Sequence, residues 1–224
     1  AYIADWAFDR ESEKGIFERF VDFVTVRRAQ FPDMHIYHFG GYETGAVKRL
    51  MGRYATCEDE VDALFRGGVF VDLLAVTRNA IRASVESYSL KQLEAFCGYE
   101  RETSLQEANS SLSKLSAALE LNDVPSIEDD TKDTVAAYNK DDCIASWKLR
   151  DWLEQRRSEQ IASGLEIPRP EPRKDAPSEE LSERQQRIQE LIGRLTADVP
   201  VDPEERSDEQ QALWILAYIL DWHR

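Results

Sequence analysis

Several residue types are scarce in this sequence, and each shortage excludes something. There are three histidines and three cysteines in 224 residues, and Cys57, Cys97 and Cys143 lie far apart without a CxxC pair. That distribution argues against a zinc site or a disulfide framework and fits buried thiols in a reducing compartment. The longest apolar run, LWILAYIL at 213–220, is far short of the ~20 residues a bilayer-spanning helix needs. No charged-then-apolar leader opens the chain, so the expectation is a cytoplasmic protein with no membrane partner. Basic charge is also short: 28 Lys and Arg face 43 Asp and Glu, a net charge of −15, which argues against a generic polyanion binder. A local basic patch is still open to it, because Arg27, Arg28, Lys48, Arg49, Arg53, Arg78, Arg82 and Lys91 stand on separate segments that could converge.

Apolar residues are not scarce. A hydrophobic content of 42% is enough for one full core and a smaller appendage. YIADWAF at 2–8, MHIYHF at 34–39 and VFVDLL from Val69 have the composition of strands. Between them, helical spacing runs from about Glu11 to Ala29, from Tyr42 to Arg53 and over 58–66, with Phe31-Pro32-Asp33 and the glycine pairs 40–41 and 67–68 as stops. From Leu73 the pattern is helical almost throughout: 73–83, 89–97 closed by Gly98, 104–121 and 131 to about 160. The expected class is α/β, three strands of a mixed sheet followed by a helical second half. IPRPEPRKDAPSEE at 167–180 carries four prolines and reads as an extended linker. The expected layout is a domain over 1–160, a linker over 161–179 and a helical connector over 180–224. Neither end looks natural: the first residue is Ala1, and the last apolar helix runs uncapped into Trp222-His223-Arg224. The expectation is a piece of a longer polypeptide.

The stretch AAYNKDDCIASWKLRDWLE at 136–154 poses the chemical question. At 100° per residue, Val135, Tyr138, Ala145, Leu149, Trp152 and Leu153 fall in one stripe about 100° wide. Asp142 falls inside that stripe, Asp141 at its border and Asp151 on the far side. A buried ionised carboxylate needs a partner, which can be an arginine, backbone N–H groups or a divalent metal ion. Tyr138 lies one turn before Asp142 on the same face, where its phenol could orient a metal-bound water. A second acid, Glu43 in IYHFGGYETGAVKRL, stands where a strand turns into a basic helix; it either complements the helix dipole or reaches a metal. Asp72, at the end of VFVD, is an N-cap for LLAVTRNAIR or a further acid of the site. His38 reads as a packed core residue, Ser87 and Ser89 as caps, Lys91 as a phosphate contact, and SIEDDTKD at 126–133 as a solvated loop and cap.

Taken together, the strand, glycines, aromatic and acid at 36–43 and the YNKDD of 138–142 resemble the DEDD exonuclease superfamily of ribonuclease H-like folds. Tyr138-x-x-x-Asp142 fits that family's tyrosine form; its histidine form is excluded because Ala137 stands five residues before Asp142. VFVDLLAVTRNAIRASVESYSLKQLEAFCG resembles the segment between the motifs, and the Tyr-Glu corner and YNxxDC ending are similar to YprB-type domains of RecB-like nuclease and helicase proteins. The resemblance covers residues 1 to about 155.

The resemblance implies a ribonuclease H-like fold and 3′–5′ hydrolysis of DNA phosphodiesters, with single-stranded DNA as partner and neighbouring nuclease and helicase domains in the same polypeptide. It implies two Mg²⁺ or Mn²⁺ ions about 4 Å apart, one activating water and the other stabilising the leaving oxygen. Tyr138, Asp142 and Glu43 match its catalytic positions, with Asp142, Glu43 and Asp72 as metal candidates and Lys91, Lys48 and Arg49 as nucleic-acid contacts. The family's Asp-x-Glu motif is missing from the strands: DRESE at 9–13 has the spacing but begins a helix. In the family that strand precedes the one YIADWAF resembles, so it is expected upstream. Glu43 also stands where most relatives carry aspartate. Two acids are too few for a tight metal site, so the 224 residues alone are expected to have little nuclease activity. The competing expectation is a catalytically silent, nuclease-like scaffold.

Overall fold

The computed structural model describes residues 2–176 and 179–220. The first helix, α1 (Arg10–Gln30), begins where Asp9 accepts the Ser12 N–H at 2.8 Å, and Glu11 and Glu13 fill its positively polarised first turn. DRESE is therefore a helix start, as its composition suggests. Glu13 is held by the Tyr54 hydroxyl and by Arg53 Nη1 at 2.9 Å.

Two short strands, β1 (Ile36–His38) and β2 (Phe70–Asp72), pair in parallel, with Ile36 opposite Phe70 and His38 opposite Asp72. Helices α2 (Tyr42–Tyr54) and α3 (Glu58–Arg66) make the crossover between them. Phe17 and Val21 of α1 pack with Val47 and Val61, while Val24, Leu64 and Val69 close the layer beneath the strands. The expected mixed sheet is thus a two-stranded parallel one among the described residues. Segment 2–8 is a correction: it has no regular structure. It bridges two helices instead, with the Tyr2 hydroxyl donating to Ala136 O at 3.1 Å, Asp5 paired to Arg19 at 3.3 Å, and Trp6 stacked on Phe8. A strand needs a ladder partner, and none of these contacts supplies one.

The helical half follows directly from β2. It comprises α4 (Leu73–Ala80), α5 (Leu90–Cys97), α6 (Leu105–Glu120) and α7 (Asp129–Ala162). Leu73, Leu93 and Leu149 meet in its core with Phe39, Trp152 and Leu153 around them; each such leucine contributes about 1.5–3 kcal/mol by leaving water. Gly98 ends α5 at φ 65°, a left-handed position that glycine occupies without strain.

Past α7, residues 165–176 form no helix or strand but are tied down. Arg169 forks onto Glu154 at 2.7 and 2.9 Å, and Asp175 pairs with Arg28 at 3.1 Å. The chain divides into two compact units between Asp175 and Ala176. The second unit holds α8 (Glu179–Thr196) and α9 (Asp208–Ile219), the latter opened by a Ser207/Gln210 capping box. The residues that would extend this last helix, 221–224, lie outside the described ones. Among the described residues no helix is long and apolar enough to cross a membrane.

Candidate functional site

In parallel sheets, sites form beyond the carboxyl ends of the strands. Here both strand ends meet at His38, Gly40 and Asp72. Gly40, at φ 85°, lets the chain double back, and its N–H donates to Asp72 Oδ1 at 2.8 Å. The same oxygen accepts the Leu74 N–H at 2.9 Å, so Asp72 caps α4 and ties the end of β1 to β2. Buried His38 donates from Nδ1 to Gly40 O at 2.6 Å, the core role expected of it. Glu43 Oε2 lies 3.8 Å from that same Nδ1. It stands in the first turn of α2, whose N-cap Gly41 offers no side chain, and it is half exposed at 50%.

Helix α7 supplies the rest and corrects the sequence reading. The buried acid is Asp141, 2% exposed, whereas the Asp142 side chain is 37% exposed. The buried line runs Asp141, Ala145, Leu149, so the helix is rotated toward Asp141 relative to its apolar stripe. The partner is the loop after Gly98. Tyr99 Oη donates to Asp141 Oδ1 at 2.6 Å, and the Thr103 N–H donates to Oδ2 at 3.0 Å. Burial opposes ionisation of Asp141, but Tyr99 and the Thr103 and Glu102 N–H groups outweigh it and hold its carboxyl below the ordinary range. Burial, and then the bond to Asp141, pushes the Tyr99 phenol up.

Asp142 also has a protein partner, and sequence reasoning did not single it out. Arg101 Nη2 donates to Asp142 Oδ1 at 2.6 Å. The same guanidinium forks onto Glu94 of α5, with Nε to Oε2 at 3.0 Å and Nη2 to Oε1 at 2.5 Å. Burial disfavours the charged guanidinium, but the bonds to Glu94 and Asp142 outweigh it and raise its pKa. Tyr138 lies beside this pair, its ring centroid 5.4 Å from Arg101 Cζ and 5.4 Å from Lys91 Nζ. Cys143 is an exposed residue and not the buried thiol expected; partial desolvation of its sulfur, then the charges of Asp142 and Glu43, push its thiol up, so both carboxylates act on one sulfur.

Lys91, Arg101, Tyr138, Asp142 and Glu94 therefore form one constellation, with Glu43 within electrostatic reach of its edge. Lys48 is elsewhere, over the Phe65 ring at 4.6 Å, and Arg49 acts on Glu13. Asp72 is engaged as a cap. Among the described residues no three of His, Cys, Asp and Glu are grouped so that they could hold a metal ion. The acids present do not fit the two-ion arrangement. The Arg101 partnership had only a faint signal in the sequence: Tyr99 and Arg101 alternate directly after the Gly98 stop, placing two long polar side chains where they can reach one neighbouring helix.

A family model described as the RNase H superfamily matches residues 2–154. No curated protein and no solved structure matches.

Proposed function

The chain belongs to the RNase H superfamily, and from that premise we propose that residues 2–154 form a nuclease-type domain acting on nucleic-acid phosphodiesters. In the finer form of this proposal the domain is a 3′–5′ exonuclease unit for single-stranded DNA, working beside nuclease and helicase domains of a longer polypeptide. Tyr138, Asp142 and Glu43 are this chain's share of its reactive groups. The observation that carries the reading is the partly exposed Asp142 one turn from Tyr138, with Lys91 and Arg101 flanking the phenol. In a chain of net charge −15, Lys91 over the Tyr138 ring supplies a local cation for a phosphate, while Arg101 is committed to Glu94 and Asp142. Tyr138 can donate to a phosphate or water oxygen, and Lys91 can neutralise the approaching backbone. Divalent Mg²⁺ or Mn²⁺ remains the family's expected cofactor. The described acids do not by themselves gather into a metal-holding cluster.

The test is degradation of 3′-labelled and 5′-labelled single-stranded DNA with Mn²⁺, by these 224 residues and by a version preceded by the upstream coding sequence. The expected result is processive shortening by the longer version only, reduced about 10²–10³-fold by Asp142→Asn, the size of effect seen when one key electrostatic group is removed. Unchanged turnover in Asp142→Asn refutes the assignment. The second reading, a silent nuclease-like scaffold, is favoured by the Arg101–Asp142 pair and the lack of a three-group cluster among the described residues. It requires that the longer version also show no turnover.

A further inference from the structure

Helix α7 carries two tryptophans in different surroundings. Trp152 packs against the core of Leu73, Leu93 and Leu149, its ring 6.0 Å from that of Phe96, whereas Trp147 is 55% exposed. We propose that Trp147 and the neighbouring Arg150–Tyr37 stack form a platform for the unpaired bases of a DNA strand whose phosphodiester lies at the Tyr138–Asp142 end of α7. The inference rests on the proposed function and names how that site would tell a single strand from a duplex.

Cys143, Trp147 and Arg150 are spaced i, i+4 and i+7, so they share one face of α7. Cys143 marks the edge of the site, since the charges of Asp142 and Glu43 both act on its sulfur. At 1.5 Å per residue, Trp147 stands about 6 Å and Arg150 about 10 Å further along the helix. A strand leaving the site along this face therefore meets an indole and then a guanidinium. Arg150 Cζ lies 5.4 Å from the centroid of the Tyr37 ring of β1, and the two are 36% and 38% exposed. Lys148 Nζ lies 5.7 Å from the Trp147 ring. One turn past Arg150, Arg169 on Glu154 adds positive charge beside Tyr37. Arg150 also pairs with Asp151 at 3.1 Å, but an exposed pair of this kind is weak. Every base has a π-face, so aromatic rings and guanidinium planes hold unpaired bases whatever their sequence, and cations beside them meet the phosphates. A duplex keeps its base faces stacked inside and offers none to such a ridge. With a net charge of −15 on the chain, binding must lean on stacking more than on phosphate contacts.

The test is fluorescence anisotropy of a labelled oligothymidylate titrated with the whole 224-residue protein at low salt in EDTA, where cleavage does not compete. A blunt hairpin duplex is the second probe, and a thermal melt verifies folding. Trp147→Ala is expected to weaken oligothymidylate binding about tenfold, within the range for one stacked base, with Trp147→Phe keeping most of the affinity. Tyr37→Ala, which removes the ring beneath Arg150, should weaken it about threefold. Neither alanine variant should change duplex binding. Lys91→Ala probes the proposed site apart from the platform: it should weaken both probes and lower the salt slope by about one. If Lys91→Ala weakens binding while Trp147→Ala leaves it unchanged, or weakens both probes equally, the platform is overturned and the site reading survives. If the oligothymidylate does not bind, or binds without sensitivity to either Lys91 or Trp147, the site reading falls and takes the inference with it.

Discussion

Asp141 and Asp142 are neighbours on one helix, yet they face different surroundings and do different work. On the Asp141 side, the loop after Gly98 closes over the carboxylate, and Tyr99 and two backbone N–H groups leave it fully occupied and out of water. On the Asp142 side a single cation covers one oxygen of an acid that is still partly in solvent. The first arrangement binds a loop to a helix, since breaking it strands several donors at once. The second can be exchanged, since water or another cation can replace what is lost. A site is built more readily on the second kind of contact, and the first kind keeps the second in place by fixing the segment that carries Arg101.

Ordered by the size of the expected effect, substitutions can sharpen or break this contrast. Arg101→Ala should cost most, about 3–5 kcal/mol in urea denaturation, because Glu94 is left as a buried charge without a partner. A loss below about 1 kcal/mol would mean that Glu94 finds water and that Arg101 is not anchored as described. Asp141→Ala should follow at about 2–3 kcal/mol, from stranded Tyr99, Thr103 and Glu102 donors. The sign of its pH dependence is fixed by its lowered carboxyl pKa: the stabilisation is present above the unfolded value of about 3.9 and is lost as pH falls through the lower folded value. The acid limb of the stability curve should therefore flatten in Asp141→Asn. Asp72→Ala should cost about 1–2 kcal/mol as a lost helix cap that also orphans the Gly40 N–H. Glu43→Gln and Lys91→Ala should stay within about 0.5 kcal/mol, as exposed groups without a structural task. A large loss at either would move it from the site to the scaffold.

Helices were readable in the sequence where a boundary signal has a local cause: Asp72 as a cap, Gly98 as a left-handed stop, Phe31-Pro32 as a break. Tyr138 and Asp142 were readable as a pair because one turn of helix relates them. The strand expected at 2–8 was not, because the apolar composition of YIADWAF suits a strand only where a neighbour completes the ladder, and the contacts it found are the Ala136 carbonyl of α7 and the side chains of Arg19 and Lys132. The phase of α7 was misjudged for a related reason. A helical wheel ranks positions by the apolar residues of the helix itself, whereas Asp141 is buried by a polar loop some forty positions away in the chain. The same distance hid Arg101, whose role depends on Glu94 and Asp142 arriving from two different helices.

The division of labour between the two acids is tested most directly by urea denaturation of Asp141→Asn and Asp142→Asn side by side. The expected result is a loss of about 2 kcal/mol or more for Asp141→Asn and less than about 1 kcal/mol for Asp142→Asn, whose carboxylate gives up one partly exposed pair. Equal losses, or a larger loss at Asp142, would contradict the account and make Asp142 part of the scaffold.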